Sequence, residues 1–158
     1  MAVMSSSVAV VDNLDTEINA YLTRYAATLT NFDAHAAASL WGTPGLILDD
    51  RIAGAAASRD EMVTGLEQGY PLYRKLGLAS VDHEYLGCEQ VTDSVIIVRV
   101  RWLFYDADGH QLTDGTNIYI LRRDDDELHA YVCIATDEAE KIQALAAARG
   151  VDLTGQPG

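Results

Sequence analysis

The sequence predicts an α+β fold, a curved and mainly antiparallel sheet wrapped around N-terminal helices. Apolar residues recur at helical spacing from Leu14 to Leu40 and again from Met62 to Leu76. Strand-like runs follow between residues 78 and 136. The segments Asp106-Ala107-Asp108-Gly109 and Arg123-Asp124-Asp125-Asp126 read as hairpin turns, so the strands they join run antiparallel. Helices gathered on one side of such a sheet make an α+β domain.

The elements are expected in this order. Asp12 or Asn13 can cap a first helix, whose apolar face carries Leu14, Ile18, Tyr21, Leu22, Tyr25 and Leu29. Residues 32–41 read as a short second helix with Phe32, Ala36 and Leu40 on one side, broken by Thr43-Pro44-Gly45. Leu46-Ile47-Leu48 is a short strand ending at Asp49-Asp50. Ser58 and Glu61 form a capping box for a third helix through Met62, Val63, Leu66 and Tyr70, which Gly69 and Pro71 kink or end.

Residues 78–91 form a long strand with Val81, His83 and Tyr85 on one face. Residues 94–105 alternate more clearly: Val98, Val100, Trp102 and Phe104 share the interior face, opposite Arg99, Arg101 and Tyr105. Residues 116–122 and 127–136 form the closing hairpin. Asp137 caps a last helix, which Gly150 stops.

The chain of 158 residues fits one domain, expected over residues 12–149 with 1–11 and 150–158 as flexible tails. Acidic side chains number 24 against 11 basic ones, a net charge of −13. That field repels a phosphate backbone, so nucleic acid is not an expected partner. No apolar stretch approaches the roughly 20 residues that span a bilayer. The start has no basic residue and is a poor secretory signal. Cys88 and Cys133 form no CxxC pair and read as reduced core thiols, which points to a cytoplasmic protein.

Arg24-Tyr25-Ala26-Ala27, then Asp33, Leu40-Trp41 and Asp49, is similar to the opening of ketosteroid isomerases. Over residues 14–136 the length and order of elements resemble the nuclear-transport-factor-like superfamily, also called the SnoaL-like or ketosteroid-isomerase-like cone fold. The resemblance implies a tyrosine at Tyr25 that donates to a developing oxyanion and a general base at Asp49. It also implies a homodimer, through the outer sheet face that carries Arg99, Arg101 and Tyr105. Those isomerases use a further aspartate in a later strand. Here Ile118 stands in that register, flanked by Asn117 and Tyr119, and no carboxyl group occupies residues 115–123. Asn117 is then an alternative donor.

Each candidate has a simpler reading. Asp49 is either a base or a turn carboxylate, and Tyr25 is either a donor or a packed helix tyrosine. His83 is either an acid–base group or a core histidine with a satisfied ring. The histidines are scattered without an HxH or HxxxH pair, so no metal is expected. No glycine-rich phosphate cradle or GxSxG elbow appears, and no cofactor is expected. Tyr21, Phe32, Trp41, Tyr70 and Tyr73 from the helical half are the pocket candidates there, with Trp102, Phe104, Tyr119 and Tyr131 from the strands. Apolar walls with a few hydroxyls suit a small apolar ligand. The sequence therefore supports a cofactor-independent isomerase or cyclase acting on an apolar carbonyl or polycyclic molecule. The alternative is a binding or assembly module of the same fold, without catalysis, and a third reading is a subunit of a larger enzyme.

Overall fold

In the computed structural model, which describes residues 2–151 and the side chains from Asn13 onward, the apolar stripe of the first helix lies against the sheet. This helix, α1, spans Ala2–Thr30, so it begins upstream of the expected cap at Asp12 or Asn13. Ile18, Tyr21, Leu22 and Tyr25 are buried at helical spacing. Polar groups fasten α1 from Asp15 onward: Asp15 accepts from the Tyr85 hydroxyl at 2.7 Å, and Glu17 takes both arms of the Arg123 guanidinium at 2.6 and 2.7 Å. The Thr30 hydroxyl accepts the Val81 N–H at 3.0 Å.

Helix α2 (Ala34–Ser39) is shorter than expected, because Asp33 caps it by accepting the Ala36 N–H. Strand β1 (Trp41–Leu48) therefore takes Trp41 out of the helix and starts earlier than Leu46. Strand β2 (Ala53–Ala56) is an element the sequence did not announce, since Ala-Gly-Ala-Ala has no strand propensity of its own. It exists as an edge paired to β1 from Gly45↔Ala56 to Leu48↔Ala53. Helix α3 (Arg59–Lys75) has the expected box: the Ser58 hydroxyl accepts from Glu61 N, and Glu61 accepts from Ala57 N at 2.7 Å. Pro71 sits inside this helix without ending it, with Tyr70 and Leu76 buried on either side. Packing carries the helix past a residue that removes one backbone donor.

Strands β3 (Ser80–Gln90), β4 (Val95–Tyr105), β5 (Gln111–Asp124) and β6 (Glu127–Ala135) complete a six-stranded curved sheet in the order β2-β1-β6-β5-β4-β3. Neighbours pair antiparallel except β1 and β6, which run parallel. The α+β expectation of a mainly antiparallel sheet with helices against it holds. Along β4, Ile96, Val98, Val100, Trp102 and Phe104 are buried, while Arg99 faces water, as the alternation predicts. The turn of the last hairpin is Asp125-Asp126, with φ of 50° and 69°, the positive values a two-residue hairpin loop needs. Arginine, histidine and tyrosine side chains surround the adjacent Asp124.

Helix α4 (Glu138–Arg149) ends at Gly150, whose φ of 68° closes the helix as expected. Asp137 stands at its N-cap but does not cap it; its carboxylate accepts the Thr116 N–H at 2.8 Å and meets Lys141 Nζ at 3.2 Å. Ile142 and Ala146 pack against Leu76 at the end of α3. Residues 152–158, which include most of the expected C-terminal tail, lie outside the described residues. Among the described residues no helix is long and apolar enough to cross a membrane.

The ring of Tyr131 in β6 lies directly on Gly42 of β1, where a Cβ would fall 2.1 Å from the Tyr131 Cζ atom. Gly42→Ala is expected to cost about 1–3 kcal/mol in chemical denaturation. Adding Tyr131→Ala should return part of that loss. A double variant whose losses simply add would show that the ring is not what forbids the side chain.

Candidate functional site

Between the sheet and the helices the packing leaves a cavity of about 230 Å³. Strands β4, β5 and β6 supply Trp102, Phe104, Asn117, Tyr119 and Cys133 to its wall. Helix α1 contributes Tyr25 and Leu29, helix α3 contributes Tyr70 and Tyr73, Phe32 comes from the link between α1 and α2, and Trp41 opens β1. These aromatics include most of those the sequence singles out.

The phenols and indoles are tied together in pairs. Trp41 Nε1 donates to the Tyr25 hydroxyl at 3.0 Å, and Trp102 Nε1 donates to the Tyr119 hydroxyl at 3.2 Å. Burial holds both tyrosines well above the ordinary phenol range, so they are neutral donors and acceptors. Burial also pushes the Cys133 thiol up to about 12, which makes it a wall atom and not a nucleophile.

One acidic group enters this apolar space, and it is Glu138, the first residue of α4. The residue as a whole is half-buried, but its carboxyl group lies on the cavity side. The Tyr73 hydroxyl donates to Glu138 Oε1 at 3.1 Å. Burial raises the Glu138 pKa and outweighs the lowering by Tyr73 and by the Asn117 amide; the nearby Asp137 charge adds to the rise. Two further polar atoms line the cavity without a partner, the Asn117 Oδ1 and the Tyr70 hydroxyl. Both residues are 4% exposed, so neither atom is satisfied by bulk water.

Residues in the first half of β5 explain why Glu138 arrives there. A Cβ at Gly115 would sit 3.1 Å from the Glu138 Cβ, so a bare glycine lets α4 approach the strand. Next to it, Lys141 Nζ reaches Asp114 Oδ1 at 2.6 Å, and Asp114 also pairs with Arg101. These partners hold the Asp114 carboxyl below the usual carboxylate range, the Lys141 contact most of all. No motif or periodicity in the sequence singles out Glu138, because acidic residues are common in the first turn of a helix. The available signal was Gly115, a glycine inside a strand.

The other candidates lie elsewhere. Asp49 Oδ1 accepts the N–H groups of Arg51 at 2.7 Å and Ile52 at 2.8 Å, in a recess shared with Ala135, Thr136 and Asp137. His83 Nε2 meets Asn19 Oδ1 at 3.1 Å between β3 and α1. Tyr21 is core, its hydroxyl donating to the Leu40 carbonyl at 2.7 Å. Tyr131 is turned to the opposite face and donates to Asp124 Oδ2 at 2.6 Å. It is the extra residue of a bulge, since Ile120 pairs Val132 and Leu121 pairs Ala130. One inserted residue flips the side that alternation assigns. Asp106, Asp108 and His110 bring ligand atoms within 4.8 Å of one another, but Asp106 Oδ1 already accepts the Asp108 and His110 amides, as a turn does.

No curated protein matches the chain. Several solved structures share its fold. A protein with a cystatin-like fold from Novosphingobium aromaticivorans, described as NTF2-like, is 17% identical, with a TM-score of 0.62 over 90% of this chain and 94% of that one. A ketosteroid isomerase-like protein from Erwinia carotovora atroseptica is 14% identical, with a TM-score of 0.59 over 77% of this chain and 93% of that one. A protein from Catenulispora acidiphila, solved in complex with S-DNPA, is 14% identical, with a TM-score of 0.61 over 84% of this chain and 98% of that one. At these identities the likeness is one of fold. Residues 16–138, which run from α1 to the cavity carboxyl, match the family described as NTF2-like protein (DUF6841), and the chain belongs to that family.

Proposed function

We propose that this chain binds a small, largely apolar molecule in the cavity and moves a proton on it, with Glu138 as the acid–base group. The observation that carries the reading is a buried carboxyl, raised in pKa, at the edge of an aromatic cavity with unpartnered polar atoms. A neutral carboxylic acid there can donate to a carbonyl oxygen, and its ionised form can take a proton from an adjacent carbon. An isomerisation needs both steps, and one carboxyl can perform them in turn. Tyr73 holds the acid in place, and Asn117 and Tyr70 are the groups left to orient the ligand. The ketosteroid isomerase-like label of one structural neighbour is consistent with this chemistry.

The position of Asp49 favours a second reading. Its Oδ1 accepts two backbone amides and the residue does not line the cavity, which supports the turn-carboxylate reading of the resemblance-based base. Without it, the same cavity would hold a ligand and leave it unchanged.

We extend the proposal to a homodimer. On the outer sheet face Ile97 pairs with Ile120, Ile120 with Val132, and Ile118 with Ile134, which makes a partly exposed apolar patch across three strands. A cytoplasmic setting fits the two unpaired thiols, Cys88 and Cys133.

Glu138→Gln should lower turnover by about 10²–10⁴-fold on a carbonyl compound that raises the melting temperature, while its affinity changes little. Turnover at the wild-type level would remove Glu138 from the chemistry. Folding stability gives an independent check. Because the folded-state pKa of Glu138 is raised, its contribution is fully present below the ordinary carboxylate range and is lost as pH rises through the raised value. The wild type should therefore lose stability relative to Glu138→Gln as pH climbs through that window; parallel melting curves would contradict the shift. For the dimer, Ile120→Glu should convert the sedimenting species to a monomer with the fold intact, and an unchanged species would exclude that face.

A further inference from the structure

The cavity has a neighbour. A second apolar groove of about 250 Å³ runs between β1–β2 and α3, and the two share Ile47, Gly65 and Leu66 as wall. Beyond that shared edge the groove is bounded by Ile52, Gly54 and Met62. Ile47 and Ile52 are 37% and 55% exposed, which leaves apolar side chains open to water along it. Gly65 and Gly69 stand one helical turn apart on the cavity side of α3, and a Cβ at either would meet nothing within 4 Å. Glycine weakens a helix interior relative to alanine, and no close contact requires it at these positions. The bare backbone leaves open space on this face of α3, at Gly65 where cavity and groove share a wall. On the same helix the buried Tyr70 hydroxyl lacks a partner and lines the cavity.

Size separates the two spaces by role. A cavity of roughly 150 Å³ holds one benzene ring. The cavity here holds one substituted ring or a compact bicycle, and a longer molecule must leave it. We propose that the ligand is an amphiphile with a polar, ring-sized head and an apolar tail. The head meets Glu138, Asn117 and Tyr70, and the tail passes Gly65 to lie in the groove against Ile47, Ile52 and Met62. The inference rests on the ligand-binding reading given above and adds the class of molecule. Continuity of the two walls is what assigns the groove to the tail of the same ligand.

A series of 4-alkylphenols from ethyl to octyl, titrated calorimetrically into the full chain, tests this. The ring is sized to the cavity, and its hydroxyl can donate to Asn117 Oδ1. Affinity should tighten by about threefold to fourfold per added methylene as the tail enters the groove. Ile52→Glu should abolish that increment for the long members and leave ethylphenol affinity within about twofold. Gly54→Leu, which fills the groove from β2, should do the same. Ethylphenol binding with no gain for longer tails would overturn the inference and leave the cavity reading intact. A gain that survives both variants places the tail elsewhere and also overturns it. Ile52→Glu changing the sedimenting species would assign the groove to a second copy of the chain instead. If no alkylphenol of any length binds, the ligand-binding reading itself fails.

Discussion

Two indole N–H groups sealed inside an apolar shell set the terms for the rest of the structure. Each must find an acceptor, and each finds a tyrosine hydroxyl on another element: Trp41 of β1 meets Tyr25 of α1, and Trp102 of β4 meets Tyr119 of β5. The first pair fixes the helix to the sheet, and the second locks two adjacent strands. The Tyr25 ring also packs against Trp102 and Tyr119, at centroid separations of 5.5 and 5.9 Å. Large rigid rings held this way cannot collapse into the space beside them. The cavity persists because its wall is committed elsewhere.

Glu138 occupies that space against its electrostatic preference. Its place in the first turn of α4 favours the ionised form through the helix dipole, while burial in an aromatic cavity favours the neutral one, and burial prevails. The position is held by contacts made for other reasons. Asp137 takes the Thr116 amide, Lys141 bridges Asp114 and Asp137, and Ile142 packs on Leu76. A carboxyl kept in an unfavourable site by a well-satisfied frame is the arrangement expected where the unfavourable state is useful.

The fold was legible in the sequence because its signals were local. Period-two alternation along β4, the Ser58–Glu61 box and Gly150 each encode their own geometry. So did part of the aromatic wall, since Tyr25 and Trp102 lie on faces that periodicity assigns, whereas Trp41, expected at the end of a helix, stands in β1. What escaped was long-range or depended on a break in the period. Strand β2 is written in the register of β1 and not in Ala-Gly-Ala-Ala. Tyr131 follows the alternation until the bulge beside Ile120 reverses it. Glu138 is placed by contacts to residues 114–116, more than twenty positions away, and a sequence pattern scanned element by element cannot register that.

The most direct test of this account is the titration of the Glu138 side-chain carbon, followed by NMR in protein labelled at glutamate and assigned with Glu138→Gln, with and without ethylphenol. The account predicts a midpoint above the ordinary glutamate range in the free protein, and a further displacement when the phenol occupies the cavity. An ordinary midpoint that the phenol leaves unmoved would contradict it.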